Sequence, residues 1–211
     1  MAEPQLVTTF VMGARLPWPD ECAVKDNNGP FEEGVIHDSG FRQSCTIRKI
    51  SALGATVRSK VQQAPGEQVV VELPNGQRAP ATVEWVDGGE SGMRFAKPID
   101  VMALINRNLV SQPIEQRAMP RVEIRCAAYV KRGEDYLPAT VRNVSAGGLQ
   151  VEGDSMPPVG SYVSVFIESL NVPPGEVAWQ KDNLAGIELL EELSWSSIMP
   201  WIRDQVRRQP Q

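Results

Sequence analysis

Short runs in which apolar and polar residues alternate recur along this chain. In Val163-Ser-Val165-Phe-Ile167 the residues Val163, Val165 and Ile167 fall on one side, the period of a strand with one face in a core. In the C-terminal half such strands are expected at 127–130, 139–144, 148–151, 162–167, 175–179 and 185–189, with Gly, Pro, Asp or Asn in the gaps. Six short strands so punctuated predict a closed or nearly closed antiparallel barrel. Helical stretches are expected at 99–110 and 192–208, the second interrupted or kinked at Pro200.

The pattern occurs twice. When residues 45–57 are set above 139–151, Thr46, Arg48, Ser51, Ala52, Gly54 and Val57 meet Thr140, Arg142, Ser145, Ala146, Gly148 and Val151, a constant offset of 94 positions. The same offset pairs Gly66 with Gly160, Val83 and Trp85 with Val177 and Trp179, and Gly92 with Gly186. An ungapped shift sustained so far is a duplication. The expected organisation is an irregular segment at 1–33, with irregular structure or one added strand, a first barrel with its helix at 34–110, a linker and arginine segment at 111–119, and a second barrel with its helix at 120–208. The fold class is mainly β, two tandem six-stranded antiparallel barrels each followed by a short α-helix.

Composition narrows the chemistry. A net charge of −5 provides no global field for a polyanion, so any nucleotide or nucleic acid needs a local basic patch. Cys22, Cys45 and Cys126 are scattered and odd in number, which argues against a disulfide framework and a zinc site. His37 is the sole histidine and is expected to be an ordinary strand residue. The N-terminus lacks the basic and apolar regions of a signal peptide, and no run approaches the ~18 apolar residues of a spanning helix. A reduced, cytoplasmic protein without membrane insertion is expected. No nucleophile–base pair, metal cluster or phosphate-cradling glycine loop suggests catalysis.

The second copy opens with Arg117 and Arg121 four residues apart, and Arg125 extends the spacing. Twenty-two residues past Arg121 comes Asn143-Val-Ser145-Ala-Gly-Gly148. Alone, the arginines would read as a solvated helical face, and the Asn-x-Ser-x-x-Gly run as a strand-to-turn signal. Together these residues offer positive charge and hydrogen-bonding groups. A guanidinium clamps phosphate bidentately, stacks on a purine, or grips guanine O6 and N7. Asn143 offers donors and acceptors to a base edge. Ser145 can hold the turn or donate to a ligand, and Gly148 permits close backbone approach or positive φ. Trp85 and Trp179 read as packing residues.

With both motifs present at this spacing, residues 115–190 resemble the PilZ family, six-stranded barrels that bind cyclic di-GMP. Arg117 and Arg121, followed by Val122, fall on that family's Arg-x-x-x-Arg motif. Asn143, Ser145 and Gly148 fall on its Asp/Asn-x-Ser-x-x-Gly motif, and Trp179 and Gly186 are also similar to the family. The resemblance implies cyclic di-GMP bound by Arg117, Arg121, Arg125, Asn143, Ser145 and Gly148, with no cofactor, metal or catalytic residue. In the first copy Lys49 replaces the asparagine, and Asn27 and Ala23 stand where the arginines would be. That barrel is expected to bind no nucleotide, though Arg42, Arg48 and Lys49 could form a basic surface.

The function expected is a non-catalytic cyclic di-GMP receptor. The nucleotide would order the 117–125 segment and reorient the two domains toward an unidentified downstream protein partner. The competing class is a nucleotide-independent interaction adaptor, docking its partner through a helical stripe of Trp195, Ile198, Trp201, Ile202 and Gln205. A single-stranded nucleic-acid barrel fits the acidity less well.

Overall fold

A computed structural model describes residues 8–13, 15–18, 31–38, 40–61, 63–111 and 121–208, the side chains of 108–111 excepted. The chain divides into two compact units, Met1–Pro120 and Arg121–Gln211. In the first, β1 (Thr9–Val11) precedes β2 (Glu32–Asp38), β3 (Phe41–Ser51), β4 (Gly54–Ser59), β5 (Gln68–Glu72), β6 (Arg78–Asp87), β7 (Glu90–Phe95) and helix α1 (Val101–Ser111). The second has β8 (Arg121–Arg132), β9 (Asp135–Ser145), β10 (Gly148–Glu152), β11 (Tyr162–Ile167), β12 (Gly175–Lys181), β13 (Leu184–Leu189) and helix α2 (Trp195–Arg208).

Both units close into six-stranded antiparallel barrels. The first circuit runs β3-β2-β5-β6-β7-β4 and back to β3. The second runs β9-β8-β11-β12-β13-β10 and back to β9. Closure leaves no edge to template aggregation. Alternate residues point inward: Ile36, Ile47, Val57, Val71, Val83 and Met93 fill one barrel, and Ile124, Val130, Val141, Val151, Val177 and Ile187 fill the other.

The duplication extends to individual hydrogen bonds. Gly66 N–H donates to Val83 C=O at 2.7 Å, and Gly160 N–H to Val177 C=O at 2.8 Å. Ile99 N–H donates to Ala52 C=O at 2.9 Å, and Leu193 N–H to Ala146 C=O at 2.8 Å. Bulges coincide as well. The β3–β4 register slips around Arg48 and the β9–β10 register around Arg142. The β6–β7 register slips beside Trp85 and the β12–β13 register beside Trp179. Each of those tryptophans faces a glycine across the ladder, Trp85 opposite Gly92 and Trp179 opposite Gly186. The indole lies so close that a Cβ on either glycine would stand 2.0 Å from its Nε1. The repeated Trp/Gly pair is therefore a packing device.

Several sequence expectations need revision. β8 begins at Arg121, about six residues before the expected 127, so Arg121 and Arg125 lie on a barrel strand and not in a segment awaiting order. The reading of the paired arginines as a helical face fails at Arg121 for the same reason. The expected added strand is β1, which pairs in parallel with β3. Helix α2 starts at Trp195 rather than 192 and continues through Pro200 without a break. The Oγ of Ser194 accepts the Ser196 N–H at 3.3 Å, capping the helix. Pro200 leaves the carbonyl of Ser196 unpaired in the ladder, and Ser196 is exposed to solvent. The helical stripe belongs to the protein's own packing. Ile198, Met199, Trp201 and Ile202 are buried, α2 lies on β8, and Trp201 Nε1–H donates to Glu168 C=O at 3.1 Å.

His37 sits on β2 with its Nε2 2.8 Å from Glu72. Arg42 approaches Glu72, and Arg48 pairs with Glu90 at 3.2 Å while its guanidinium lies 3.9 Å from the Phe31 ring centroid. Of the basic surface expected from Arg42, Arg48 and Lys49, Arg48 is paired with Glu90 and Arg42 lies near Glu72. Cys45 and Cys126 are unpaired thiols, pushed up by burial to about 12 and about 11. Among the described residues, no helix is long and apolar enough to cross a membrane.

The Trp/Gly pair gives a direct test. Gly186→Ala is expected to destabilise the second barrel by about 1–3 kcal/mol through overpacking. Adding Trp179→Ala should recover part of that loss, because the two changes act on one contact. Urea unfolding of the single and double variants measures the coupling; additive losses would reject the contact as the cause.

Candidate ligand-binding face of the second barrel

With the interior filled by aliphatic side chains, ligand chemistry lies on the outer faces of the strands. On β8 the buried Val122 and Ile124 flank the half-buried Glu123, so Arg121, Glu123 and Arg125 point outward. On β9 the buried Val144 lies between Asn143 and Ser145, which share that outer side. Val122 is opposite Val144 and Glu123 opposite Asn143, so Arg121 and Ser145 are the next neighbours along the same ladder. Asn143 is opposite Gln150 of β10, Gln150 opposite Gly186, and Gly186 opposite Trp179. One continuous row therefore crosses four neighbouring ladders: Glu123, Asn143, Gln150, Gly186 and Trp179.

Arg121, Asn143, Ser145 and Gly148 come together on this face. Arg125 stands in the β8 bulge between Glu123 and Cys126, where its charge helps hold the Glu152 carboxyl below the usual range. The largest contribution to that lowering is the hydrogen bond from Arg142, with Asn183 adding another at 2.8 Å. Arg117 lies outside the described residues.

The motif's three residues have different physical roles. Ser145 Oγ donates to Gly148 C=O at 3.2 Å and so closes the β9–β10 turn. In the first barrel Ser51 Oγ accepts the Leu53 N–H at 3.1 Å, also within the turn. Gly148 does not have positive φ. A Cβ there would stand 2.7 Å from Ile187 O, and one on Gly54 would stand 2.2 Å from Met93 O. Close approach of neighbouring strands, and not turn geometry, is what requires glycine. Ser145 and Gly148 thus have equivalents retained for the barrel itself. Asn143 has none, since Lys49 takes its place. Its Nδ2 hydrogen-bonds Gln150 Oε1, which leaves the Asn143 Oδ1 side and the second Nδ2 proton for another partner.

Arg121 differs from the arginines that pair with carboxylates. Arg48, Arg58, Arg78, Arg94, Arg142 and Arg208 all pair with carboxylates. Among the described residues, Arg121 makes no ion pair or side-chain hydrogen bond, although it is half-buried. Burial alone holds its guanidinium below the ordinary arginine value. A cation kept from water without a counter-charge favours an anion arriving at that place.

Two members of the face were not singled out from sequence, Glu123 and Gln150. Their signal is register: once β8 and β9 pair as a hairpin, Glu123 must face Asn143, and the β9–β10 turn brings Gln150 beside it. Glu123 and the exposed Glu188, opposite Gly148, add acceptors suited to the N–H groups of a purine edge.

Known proteins and a family model are similar to this chain to differing extents. No curated protein matches the chain in sequence. Among solved structures, Bacillus subtilis MotI/DgrA, an inhibitor of motility, is 14% identical, with 85% of this chain and 98% of that chain covered and a TM-score of 0.31. Borreliella burgdorferi PlzA in complex with c-di-GMP is 12% identical, covering 83% and 87%, with a TM-score of 0.33. Escherichia coli YcgR in complex with c-di-GMP is 10% identical, covering 83% and 81%, with a TM-score of 0.28. The sequence match covers the stretch holding both motifs and all six strands of the second barrel: residues 115–197 of this chain match the PilZ domain.

Proposed function

We propose that the second barrel is a non-catalytic receptor for cyclic di-GMP, with the nucleotide lying on the outer face of β8, β9 and β10. The observation that carries this reading is Arg121, a half-buried guanidinium without a counter-charge among the described residues, next along the ladder to Ser145 and beside Asn143. In the reading, Arg121 and Arg117 hold phosphate or clasp guanine O6 and N7, with Arg125 adding positive charge beside them. Asn143 meets a base edge, and Ser145 and Gly148 fix the turn that presents it. The family match over 115–197 supports the same ligand.

Because Arg121 and Arg125 already sit on β8, ligand-induced ordering of the whole 117–125 stretch is not part of the reading. What remains is Arg117 in the stretch between the two barrels. A nucleotide that binds Arg117 together with Arg121 ties that stretch to the second barrel, and any shift between domain arrangements equals the ligand's differential affinity for them. We place this receptor in the cytoplasm, in keeping with its unpaired thiols.

An adaptor surface is favoured by a separate observation. Tyr129, Tyr136, Tyr162 and Phe166 are all exposed. Phe166 is opposite Tyr129, and Tyr136 packs against Phe166 with centroids 5.8 Å apart. Exposed aromatics clustered on one wall suit a protein partner. The two readings are compatible, since this wall and the arginine face use different residues.

Calorimetry with the full chain tests the receptor. Arg121→Ala is expected to weaken cyclic di-GMP by about one to two decades, the ~1–3 kcal/mol of one bidentate contact. The same change should leave urea stability equal or higher, because it removes an uncompensated half-buried charge. No heat at tens of micromolar nucleotide, or unchanged affinity in Arg117→Ala/Arg121→Ala, would reject the reading.

Asn143→Lys copies the residue that the first barrel accommodates as Lys49. It is expected to cost at least tenfold in affinity, while the midpoint of unfolding moves by no more than about 0.5 kcal/mol, as for a surface change. Retained affinity would remove Asn143 from the site.

A further inference from the structure

The duplication supplies an internal comparison. On the first barrel, Lys49, Ser51, Thr56, Trp85 and Gly92 stand where the second carries Asn143, Ser145, Gln150, Trp179 and Gly186. That first-barrel face is covered by the chain itself. β1 lies in parallel along β3, with Thr9 opposite Lys49, Phe10 opposite Ile50 and Val11 opposite Ser51. In the second barrel the strand beside the equivalent residues is the start of β8, which runs antiparallel and carries Arg121 and Glu123. The chain then reaches Pro17, whose C=O accepts from Thr56 Oγ1 at 2.5 Å, and Trp18, whose ring meets Trp85 edge-on at 5.9 Å.

The coverage is close. Thr8, Phe10, Val11 and Met12 are each no more than 4% exposed, and Thr56 is 2% exposed. Thr8 Oγ1 donates to Ile47 C=O at 2.6 Å and accepts the Glu32 N–H at 2.7 Å, fastening the start of the segment to β3 and β2. Strand addition supplies the main-chain bonds, apolar side chains at Phe10–Met12 supply the anchor, and an aromatic contact fixes the far end. These are the components of peptide recognition by β-augmentation.

We propose that the first barrel is a peptide-binding module whose ligand is the chain's own segment Thr8–Trp18. The six-stranded circuit β3-β2-β5-β6-β7-β4 closes without β1, so the segment is an added occupant and not a stave of the barrel. It lies where the second barrel has the arginine strand, and it reaches Thr56 and Trp85, the equivalents of Gln150 and Trp179.

The test uses the full chain with a protease site inserted between Asp26 and Asn27, in a stretch with the turn-forming composition Asn27-Asn28-Gly29-Pro30. After cleavage the protein is mixed with a fluorescein-labelled peptide of residues 1–19. The expected result is saturable uptake of the peptide by the cut protein and none by the uncut chain. Uptake should be at least tenfold weaker for a Phe10→Asp peptide and measurably weaker for Trp18→Ala. No uptake by the cut protein, equal uptake of a scrambled peptide, or unfolding on cleavage that added peptide does not reverse would each overturn the proposal. In the uncut chain, Trp18→Ala should alter the near-ultraviolet circular dichroism that the Trp18–Trp85 contact produces, and an unchanged spectrum would also count against it. Cyclic di-GMP takes no part in these measurements, so their failure leaves the receptor reading where it stood.

Discussion

A six-stranded barrel has room inside for side chains and nothing else, and that constraint organises everything the protein can do. In each copy the inward positions are aliphatic and the circuit of strands is complete. Recognition is therefore confined to outward rows of side chains, whose members are set by register. A shift of one residue would exchange the row carrying Asn143 with the row carrying Val144. The devices that pin the register are consequently part of the site. These are the bulges at Arg48 and Arg142, the strand contacts at Gly54 and Gly148, and the tryptophans lying over Gly92 and Gly186.

This separates two kinds of repeated residue. Ser51/Ser145, Gly54/Gly148 and the Trp/Gly pairs occur in both copies and have a structural account in both. Arg121 occurs in one copy and makes no ion pair there among the described residues, and the Asn143 side chain is bonded there only to Gln150. Asn143 could be lysine without harm to the barrel, judging by Lys49. Arg121 is half-buried without a countercharge among the described residues. A motif match weighs all its residues alike. The duplicated structure instead separates the asparagine and the arginine from the residues whose role in the barrel is common to both copies.

Much of this was legible in the sequence, and the reason is physical. Period-two alternation and glycine–proline punctuation report strands because they record which side faces the core, and the offset of 94 positions reported the duplication because packing at Trp85/Gly92 tolerates little change. The start of β8 was not legible. Arg121-Val-Glu-Ile-Arg125 alternates as a strand should, but the first strand of the second barrel was expected only from 127. Pro200 misled for a related reason: helix continuity depended on burial of Ile198, Met199, Trp201 and Ile202, which outweighs one missing hydrogen bond. Glu123 and Gln150 were invisible because membership of the face follows from pairing between strands, which no local pattern encodes.

The two barrels also show how one face can be used in different ways. On a closed barrel, the outer positions of the β3–β4 or β9–β10 hairpin need a neighbour along the adjoining ladder, because that part of the strand otherwise exposes main-chain donors and acceptors. The second barrel meets the requirement by extending β8 back to Arg121, which brings a cation and a carboxylate to the asparagine. The first meets it with a separate strand in the opposite direction, Thr9–Val11, which brings apolar side chains and draws Trp18 onto Trp85. The chemistry presented at each face follows from which segment completes the ladder. A polar, arginine-bearing strand lines the second face, whereas an apolar strand lies along the first. The two copies therefore differ little in the barrel itself and more in what runs alongside it.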